Sequence, residues 1–382
     1  MKSIKIGILT LPLHTNYGGI LQAYALQTIL ERMGNDVVVF NRKLLPKLPC
    51  WRIVLSIGKR MILRYIMGRQ NVNVTQPAWA YKVAIKMQLN LRKFIDTYIH
   101  EMQVDKLGEI PVNKYDAIVV GSDQIWRDIY MCAWSRKNMA DCFLAFTQGY
   151  DIKRVAYAAS FGTDCFNIPQ AQLNKCRESA AMFDAVSVRE ESGIGICKNV
   201  LGVNADWMPD PTLLLDRNDY LKIISSLQPI TDNPYLLSYM LDMTPEKASL
   251  CERVASSKGL EVRNAQPTSR ATKLDEVVPL PPMESWLWNF ANADYVINDS
   301  FHGCVFSILF HKQFVAIANK SRGIARFTSL LKMFGLEDRL IYSPADYHPI
   351  PDIDYTGVDA ILHAKRKEAM DFLSQALEQK LD

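Results

Sequence analysis

With 382 residues, 49 % of them hydrophobic, and a formal net charge of +4, the chain is a globular protein long enough for two ordinary domains with full cores. It holds no run of about 18 uncharged apolar residues, so no transmembrane helix is expected, and its first residues read as a strand rather than a signal peptide. The cysteines at 50, 132, 142, 165, 176, 197, 251 and 304 form no CxxC pair and no cluster with histidine. They read as reduced cytosolic thiols, and no metal site is expected.

An apolar run at 4–10 predicts a strand, followed by a helix at 19–33 in which Ile20, Leu21, Ala23, Ala25, Leu26, Ile29 and Leu30 recur at helical spacing. Between them lie His14, Thr15, Asn16, Tyr17, Gly18 and Gly19. A strand that turns through paired glycines into a helix puts backbone N–H groups and the positive helix end at the carboxyl edge of a sheet, where open α/β folds bind ligands. The turn matches neither GxGxxG nor a Walker loop, so neither a dinucleotide nor a nucleoside triphosphate is indicated. Gly34 and Asn35 end the helix, and 36–40 is the next strand. Strands at 115–121, 154–160 and 185–189 follow, with a helix at 169–183 and another opening at 189–193. At Pro209-Asp210-Pro211-Thr212 the pattern breaks at two prolines, the expected crossover between halves. Strands at 235–240, 260–263, 294–298 and 314–317 then alternate with helices at 245–258, 283–291 and 304–309, before a mixed-charge amphipathic helix at 356–380. Such βα alternation predicts two α/β halves with parallel sheets.

Five polar clusters follow predicted strands: 14–19, 121–127, 189–191, 299–303 and 319–323. At strand ends of both halves they would face one cleft. His302 beside Gly303 titrates near neutrality and can give and take a proton, or simply cap the turn. Arg189 suits a bidentate contact to carboxylate or phosphate, or an interdomain salt bridge. Lys320, Arg322 and Arg326 can bind an anion or solvate a loop. Asp123 and Asp299 are candidate bases or helix caps. Trp126, Trp134, Trp286 and Trp288 can stack on sugars or fill the core.

The segments KIGILTLPLHTNYGGILQAYALQTILERMG, VVGSDQIWR, SVREESG, DPTLLL, FANADYVINDSFHGCVFSILF and NKSRGIARFTSLL, in order from residue 5 to about residue 340, resemble the polysaccharide pyruvyl transferase family. The resemblance implies a GT-B-like pair of Rossmann-like domains: an acceptor-side domain at 1–212 with a basic insertion at 42–95, a donor-side domain at 213–350, and a helix at 351–382 packing back on the first domain. It implies transfer of pyruvate from phosphoenolpyruvate onto two sugar hydroxyls as a cyclic ketal with release of phosphate, without metal, nucleotide or other cofactor. In that family an arginine at the SVRE position and the histidine of the S-x-H-G turn bind the donor; here these are Arg189 and Ser300-Phe301-His302. Phe301 departs from the arginine or leucine of many members, which removes one donor contact; Lys320 and Arg322 are expected to compensate.

Elementary chemistry agrees. Phosphoenolpyruvate carries a carboxylate and a phosphate, so its site needs fixed cations and N–H donors. The expected donor site is Arg189, Ser300, Gly303, Asn319, Lys320 and Arg322. Ketal formation needs an acid for C3, assigned to His302, and a base for the sugar hydroxyl, assigned to Asp123. His14, Asn16, Tyr17, Gly18, Gly19, Gln22 and Trp126 are the expected acceptor-side residues.

The charge is unevenly spread. From Val37 to Ile95 there is no Asp or Glu but there are twelve Lys or Arg, so the remainder is net acidic. A helix at 51–67 would place Arg52, Ser56, Lys59 and Arg60 on one face and Val54, Ile57, Met61 and Tyr65 opposite. That pattern suits the anionic surface of a cytoplasmic leaflet, where a lipid-linked glycan precursor would be met, or an ordinary packed helix. A glycosyltransferase of similar fold using a nucleotide sugar is the competing enzyme reading, though no segment is dedicated to a diphosphate or a base. A nucleic-acid-binding protein using 37–95 is the competing non-enzyme reading; it lacks any recognisable motif, so no nucleic-acid partner is expected.

Overall fold

The computed structural model describes residues 3–42, 49–69, 72–131, 138–230, 233–265, 277–319 and 322–378. Lys320 and Trp134, both singled out above, lie outside the described residues. In the N-terminal half β1 (Lys5–Leu9), α1 (Tyr17–Arg32) and β2 (Asp36–Asn41) come first, then α2 (Cys50–Met61), α3 (Gln76–Tyr98), β3 (Glu101–Gln103), β4 (Ala117–Val120), α4 (Asp128–Met131), β5 (Lys153–Ala159), α5 (Gln170–Ala180), β6 (Ala185–Val188), α6 (Glu191–Ile196) and β7 (Asp206–Trp207). The C-terminal half holds α7 (Arg217–Ile224), β8 (Tyr235–Tyr239), α8 (Pro245–Lys258), β9 (Glu261–Asn264), α9 (Met283–Asn292), β10 (Tyr295–Asn298), α10 (Phe301–Leu309), β11 (Gln313–Ile317), α11 (Ala325–Phe334), β12 (Leu340–Ile341) and α12 (Tyr355–Leu377).

Two parallel sheets result, ordered β3-β2-β1-β4-β5-β6-β7 and β12-β11-β10-β8-β9. β4 and β10 read AIVV and YVIN and are buried along their whole length, as strands covered on both faces must be. Strand order reverses direction between β1 and β4 in the first sheet and between β8 and β10 in the second. These are the two switch points, where the loops after adjacent strands diverge and leave a crevice. Both crevices open onto the same cleft.

The halves share one apolar core. Tyr17 of α1 stacks on Trp286 of α9 at 5.4 Å, and Arg32 makes a bidentate ion pair with Asp219 of α7. The Pro211–Leu213 turn at the crossover is buried, with Thr212 donating to Asp210. α12 leaves the second half and returns to the first: Phe372 meets Tyr157 of β5, and Arg366 donates to the carbonyls of Leu213 and Leu215.

Three features differ from the sequence expectations. α1 starts at Tyr17, so Gly18 and Gly19 lie inside its first turn rather than in a turn before it. α10 starts at Phe301 with Ser300 as its N-cap residue, so His302 is in the first helical turn. α3 is a helix of 23 residues that the basic composition of its stretch conceals.

Candidate active site

A cavity of about 470 Å³ lies in the cleft. Its N-terminal wall is the loop after β1 and the start of α1, with His14, Asn16 and Tyr17, together with Arg42 after β2 and Asp123 after β4. Its C-terminal wall is Leu241 after β8, Ser300, Phe301 and His302 opening α10, and Arg322 and Arg326. The N-termini of α1 and α10 therefore end on one space. The first N–H groups of a helix have no intrahelical partner and carry the positive end of its dipole, so the cavity favours an anion.

Two glycines allow the walls to approach. A Cβ on Gly18 would sit 1.9 Å from His302 Nδ1, so only glycine lets α1 meet the imidazole of α10. Gly323, at φ +92°, faces the carbonyl of Gly162 so closely that a Cβ would lie 1.9 Å from its oxygen. The loops after β5 and β11 thus touch backbone to backbone across the cleft.

Behind the wall lies a charged cluster centred on Asp210, which the sequence reading treated only as part of the crossover. Its Oδ2 accepts from Arg189 Nη1 at 2.7 Å and from Ser122 Oγ at 3.0 Å. Its Oδ1 accepts from Thr212 N and Oγ1. His302 Nε2 stands 3.6 Å from Oδ2, within ion-pair range but beyond a hydrogen bond. Burial by itself would raise the Asp210 carboxyl; the neighbouring His302, Arg189 and Thr212 outweigh it and hold the group well below the usual carboxylate range. An aspartate between two prolines and two residues before a threonine was the available signal. It reads as a turn cap, which Asp210 also is.

Arg189 is placed one layer behind the cavity, not on its wall. Its guanidinium lies 4.4 Å from the centroid of the Phe301 ring and is held by Asp210. The expected direct donor contact of Arg189 is therefore corrected: Phe301 covers it. Arg326 reaches the wall instead, its guanidinium 5.6 Å from the same ring. Burial, followed by repulsion from Arg189, draws the Arg326 group down to about 10. Phe301 thus stands between two cations, Arg189 behind it and Arg326 on the wall.

Other expected residues divide by what they bond. Asp123 is buried on the wall and accepts from Gln124 N at 2.8 Å and Asn16 Nδ2 at 3.2 Å. His14 is on the wall, its Nδ1 3.0 Å from the Leu13 carbonyl, and burial lowers its pKa. Tyr17 donates to the Pro281 carbonyl, and burial raises its hydroxyl. Ser300 is on the wall, its N–H donating to Asn298.

Arg322 is on the wall too, but Asp242 takes it in two hydrogen bonds and is held at about 2, chiefly by that contact. Compensation for a missing cation by Arg322 is corrected accordingly. Gln22 is fully buried, bonded to Thr10, the Gly19 carbonyl and Ser122 N, so it ties α1 to the loop after β4. Trp126 is a core residue, stacked on Phe143 at 4.7 Å with its N–H donating to Cys142, and does not meet an acceptor. Gly303 packs on the Asn298 side chain, where a Cβ would lie 2.6 Å from Oδ1. Asn319 bonds Asp242 and Asp299. Asp299, also on the wall, accepts from Leu241 N, Asp242 N and Lys247 Nζ, so it braces the loops.

Among the described residues, Arg326 Nε on the wall, His302 Nε2, which faces Asp210, and Arg189 Nε and Nη2 behind the wall are buried without a hydrogen-bond partner. Buried donors are normally paired. Arg326 on the wall, beside the N-terminus of α10, fits this side of the cavity to an anionic ligand.

Similar solved structures share the fold across the whole chain. They include Arabidopsis thaliana UGT89C1 complexed with UDP-L-rhamnose (9 % identity, 99 % of this chain and 100 % of that one, TM-score 0.51). A putative UDP-N-acetylglucosamine 2-epimerase from Listeria monocytogenes (10 %, 98 % and 91 %, TM-score 0.51) and a glycosyltransferase from Rickettsia africae ESF-5 (11 %, 100 % and 100 %, TM-score 0.50) are alike to a similar degree. The architecture is GT-B-like, with two parallel-sheet α/β domains. No curated protein matches the chain. The family model for polysaccharide pyruvyl transferase matches residues 16–321, from the start of α1 to the loop after β11, and so takes in Asn16, Asp123, Ser300 and His302 of the cavity wall. This chain belongs to the polysaccharide pyruvyl transferase family.

Proposed function

We propose that the enzyme transfers pyruvate from phosphoenolpyruvate onto two hydroxyls of a sugar in a lipid-linked glycan, forming a cyclic ketal and releasing phosphate. The observation that carries this reading is the meeting of Arg326, whose buried Nε has no hydrogen-bond partner, with the N-terminus of α10 on one side of the cavity. A small donor bearing carboxylate and phosphate satisfies them. The acceptor occupies the opposite wall, against His14, Asn16 and Tyr17.

In the proposed reaction a sugar hydroxyl oxygen bonds to C2 as His302 delivers a proton to C3, and Asp123 takes the hydroxyl proton. The C–O bond to phosphate then breaks, and the proton on Asp123 leaves with the phosphate. The second hydroxyl closes the ring on C2 and returns its proton to His302. Asp210 holds the imidazole from behind, and Arg326 balances the negative charge of the departing phosphate. Thermal unfolding with added ligands tests the donor. Phosphoenolpyruvate should raise Tm in proportion to the logarithm of its concentration, and UDP-sugars should not. The reverse pattern favours a nucleotide-sugar glycosyltransferase.

A further inference from the structure

α2 presents an arrangement that a helix serving only the fold does not need. None of its residues is buried. Ile53, Ile57 and Leu63, on the side toward α3, are half-buried. The opposite side carries Trp51, Val54, Leu55 and, in the π-helical turn Ile62–Ile66 that continues α2, Ile62, Tyr65 and Ile66. These six are between 51 % and 78 % exposed. Their spacing of three, four, seven and eleven residues keeps them on one stripe of the helix, with Gly58 between them. Apolar residues on the outer side, away from the protein, reverse the usual pattern of a surface helix.

Cations border this stripe. Arg52 and Lys59 follow it along one edge and Arg64 lies beyond the other. The guanidinium of Arg52 lies 5.0 Å from the Trp51 ring and that of Arg64 5.7 Å from the Tyr65 ring. No Asp or Glu occurs between Val37 and Ile95 to oppose them. Tryptophan and tyrosine with adjoining basic groups are the side chains that settle at the headgroup level of a bilayer. Among the described residues no helix is long and apolar enough to cross a membrane.

We propose that the outer face of α2 and its π-helical turn docks in the plane of an anionic lipid surface, with the apolar stripe in the acyl boundary and the cations on the headgroups. The charge complementarity decides for this occupant over a second copy of the chain, which would bring the same cations face to face. The docked element is coupled to the cleft. α3 packs along α2 and runs inward, where Asn90 donates to the Leu280 carbonyl and Met87 accepts from Leu280 N. The next residue, Pro281, accepts from the Tyr17 hydroxyl on the cavity wall. A lipid-linked substrate would thereby meet the cavity at a fixed height above the bilayer.

The test is sedimentation of the full chain with vesicles of phosphatidylcholine alone and of equimolar phosphatidylcholine and phosphatidylglycerol. Two variants accompany it: Arg52→Gln/Lys59→Gln/Arg64→Gln, and Leu55→Asn/Ile62→Asn/Ile66→Asn. All six positions are exposed, and circular dichroism with Tm checks that both variants fold. The wild type should sediment with the anionic vesicles only and be released by high salt. Each variant should lower the bound fraction by at least about tenfold. The proposal is overturned by equal partition onto both vesicles, by no partition, or by variants that bind as the wild type does. It is also overturned if the apolar variant only converts a dimer to a monomer, or if the cations are needed for duplex DNA and not for vesicles. Phosphoenolpyruvate binding is read separately by thermal shift, so either reading can fail alone.

Discussion

Arg189 and Asp210 form an ion pair at 2.7 Å in which neither side chain is more than 2 % exposed. The strand end of the first sheet and the crossover to the second half are thus joined by charge at the point nearest His302. Taking one partner from such a pair leaves the other charged and buried. Asp210→Ala should therefore cost about 3–5 kcal/mol in urea unfolding. Asp210→Asn, which keeps the shape and part of the hydrogen bonding, should cost less. A loss below about 1 kcal/mol for Asp210→Ala would contradict a structural hold by this pair.

Gly18 and His302 give a second prediction. The Cβ of Gly18→Ala would occupy the position of the imidazole, so the ring must move. Gly18→Ala should lower kcat, and His302→Ala should lower it about 10²- to 10⁴-fold, the usual range for a general acid. If Gly18 acts through the ring, the double variant should be no slower than His302→Ala alone. Additive losses would separate the two residues.

Arg326 and Arg189 should part in their effects. Arg326 is on the cavity wall and Arg189 behind Phe301. Arg326→Ala should raise the Kd for phosphoenolpyruvate, measured by calorimetry, by about tenfold or more, as the loss of a charge-assisted contact does. Arg189→Ala should chiefly lower stability. Equal effects on Kd would place Arg189 on the ligand after all.

Lys312, between α10 and β11, supplies the pH dependence. Burial, followed by repulsion from Arg217, lowers its ammonium from 10.5 to about 8. Below pH 8 both states are protonated and the fold bears the cost of the buried charge. Between about 8 and 10.5 the unfolded chain holds the proton and the folded one has released it, so this residue's contribution to stability rises with pH. Lys312→Met should raise Tm below pH 8, with the gain vanishing above pH 10.5 as far as charge alone decides it. A constant difference across that range would assign the effect to packing.

Periodicity and turn chemistry carried most of the fold into view. The buried runs of β1, β4, β5 and β10, the glycines ending α1 and α8, and the prolines at 209 and 211 all read locally. The two-residue strands β7 and β12 are too short for any period, and α3 was hidden by the basic composition of its stretch. In the site, His14, Asn16, Tyr17, Asp123, Ser300, His302 and Arg322 were legible as polar groups after strands and do line one cavity. The partners that decide their chemistry were not. Asp210 faces His302 from 92 positions earlier in the chain, and Asp242 takes Arg322 from the loop after β8. The placing of Arg189 behind Phe301 rests on the same kind of long-range contact. Gln22 and Trp126 show the converse, since a polar or aromatic side chain beside a site can be consumed wholly by the scaffold.

The most direct measurement is turnover: the protein with phosphoenolpyruvate and a panel of lipid-linked and water-soluble glycans, followed for phosphate release and for product mass. Phosphate should appear only when an acceptor is present, one for each pyruvyl ketal gained by the glycan, and His302→Ala should abolish both signals together. Phosphate release without any gain in glycan mass, or sugar transfer from a UDP-sugar under the same conditions with phosphoenolpyruvate inert, would contradict it.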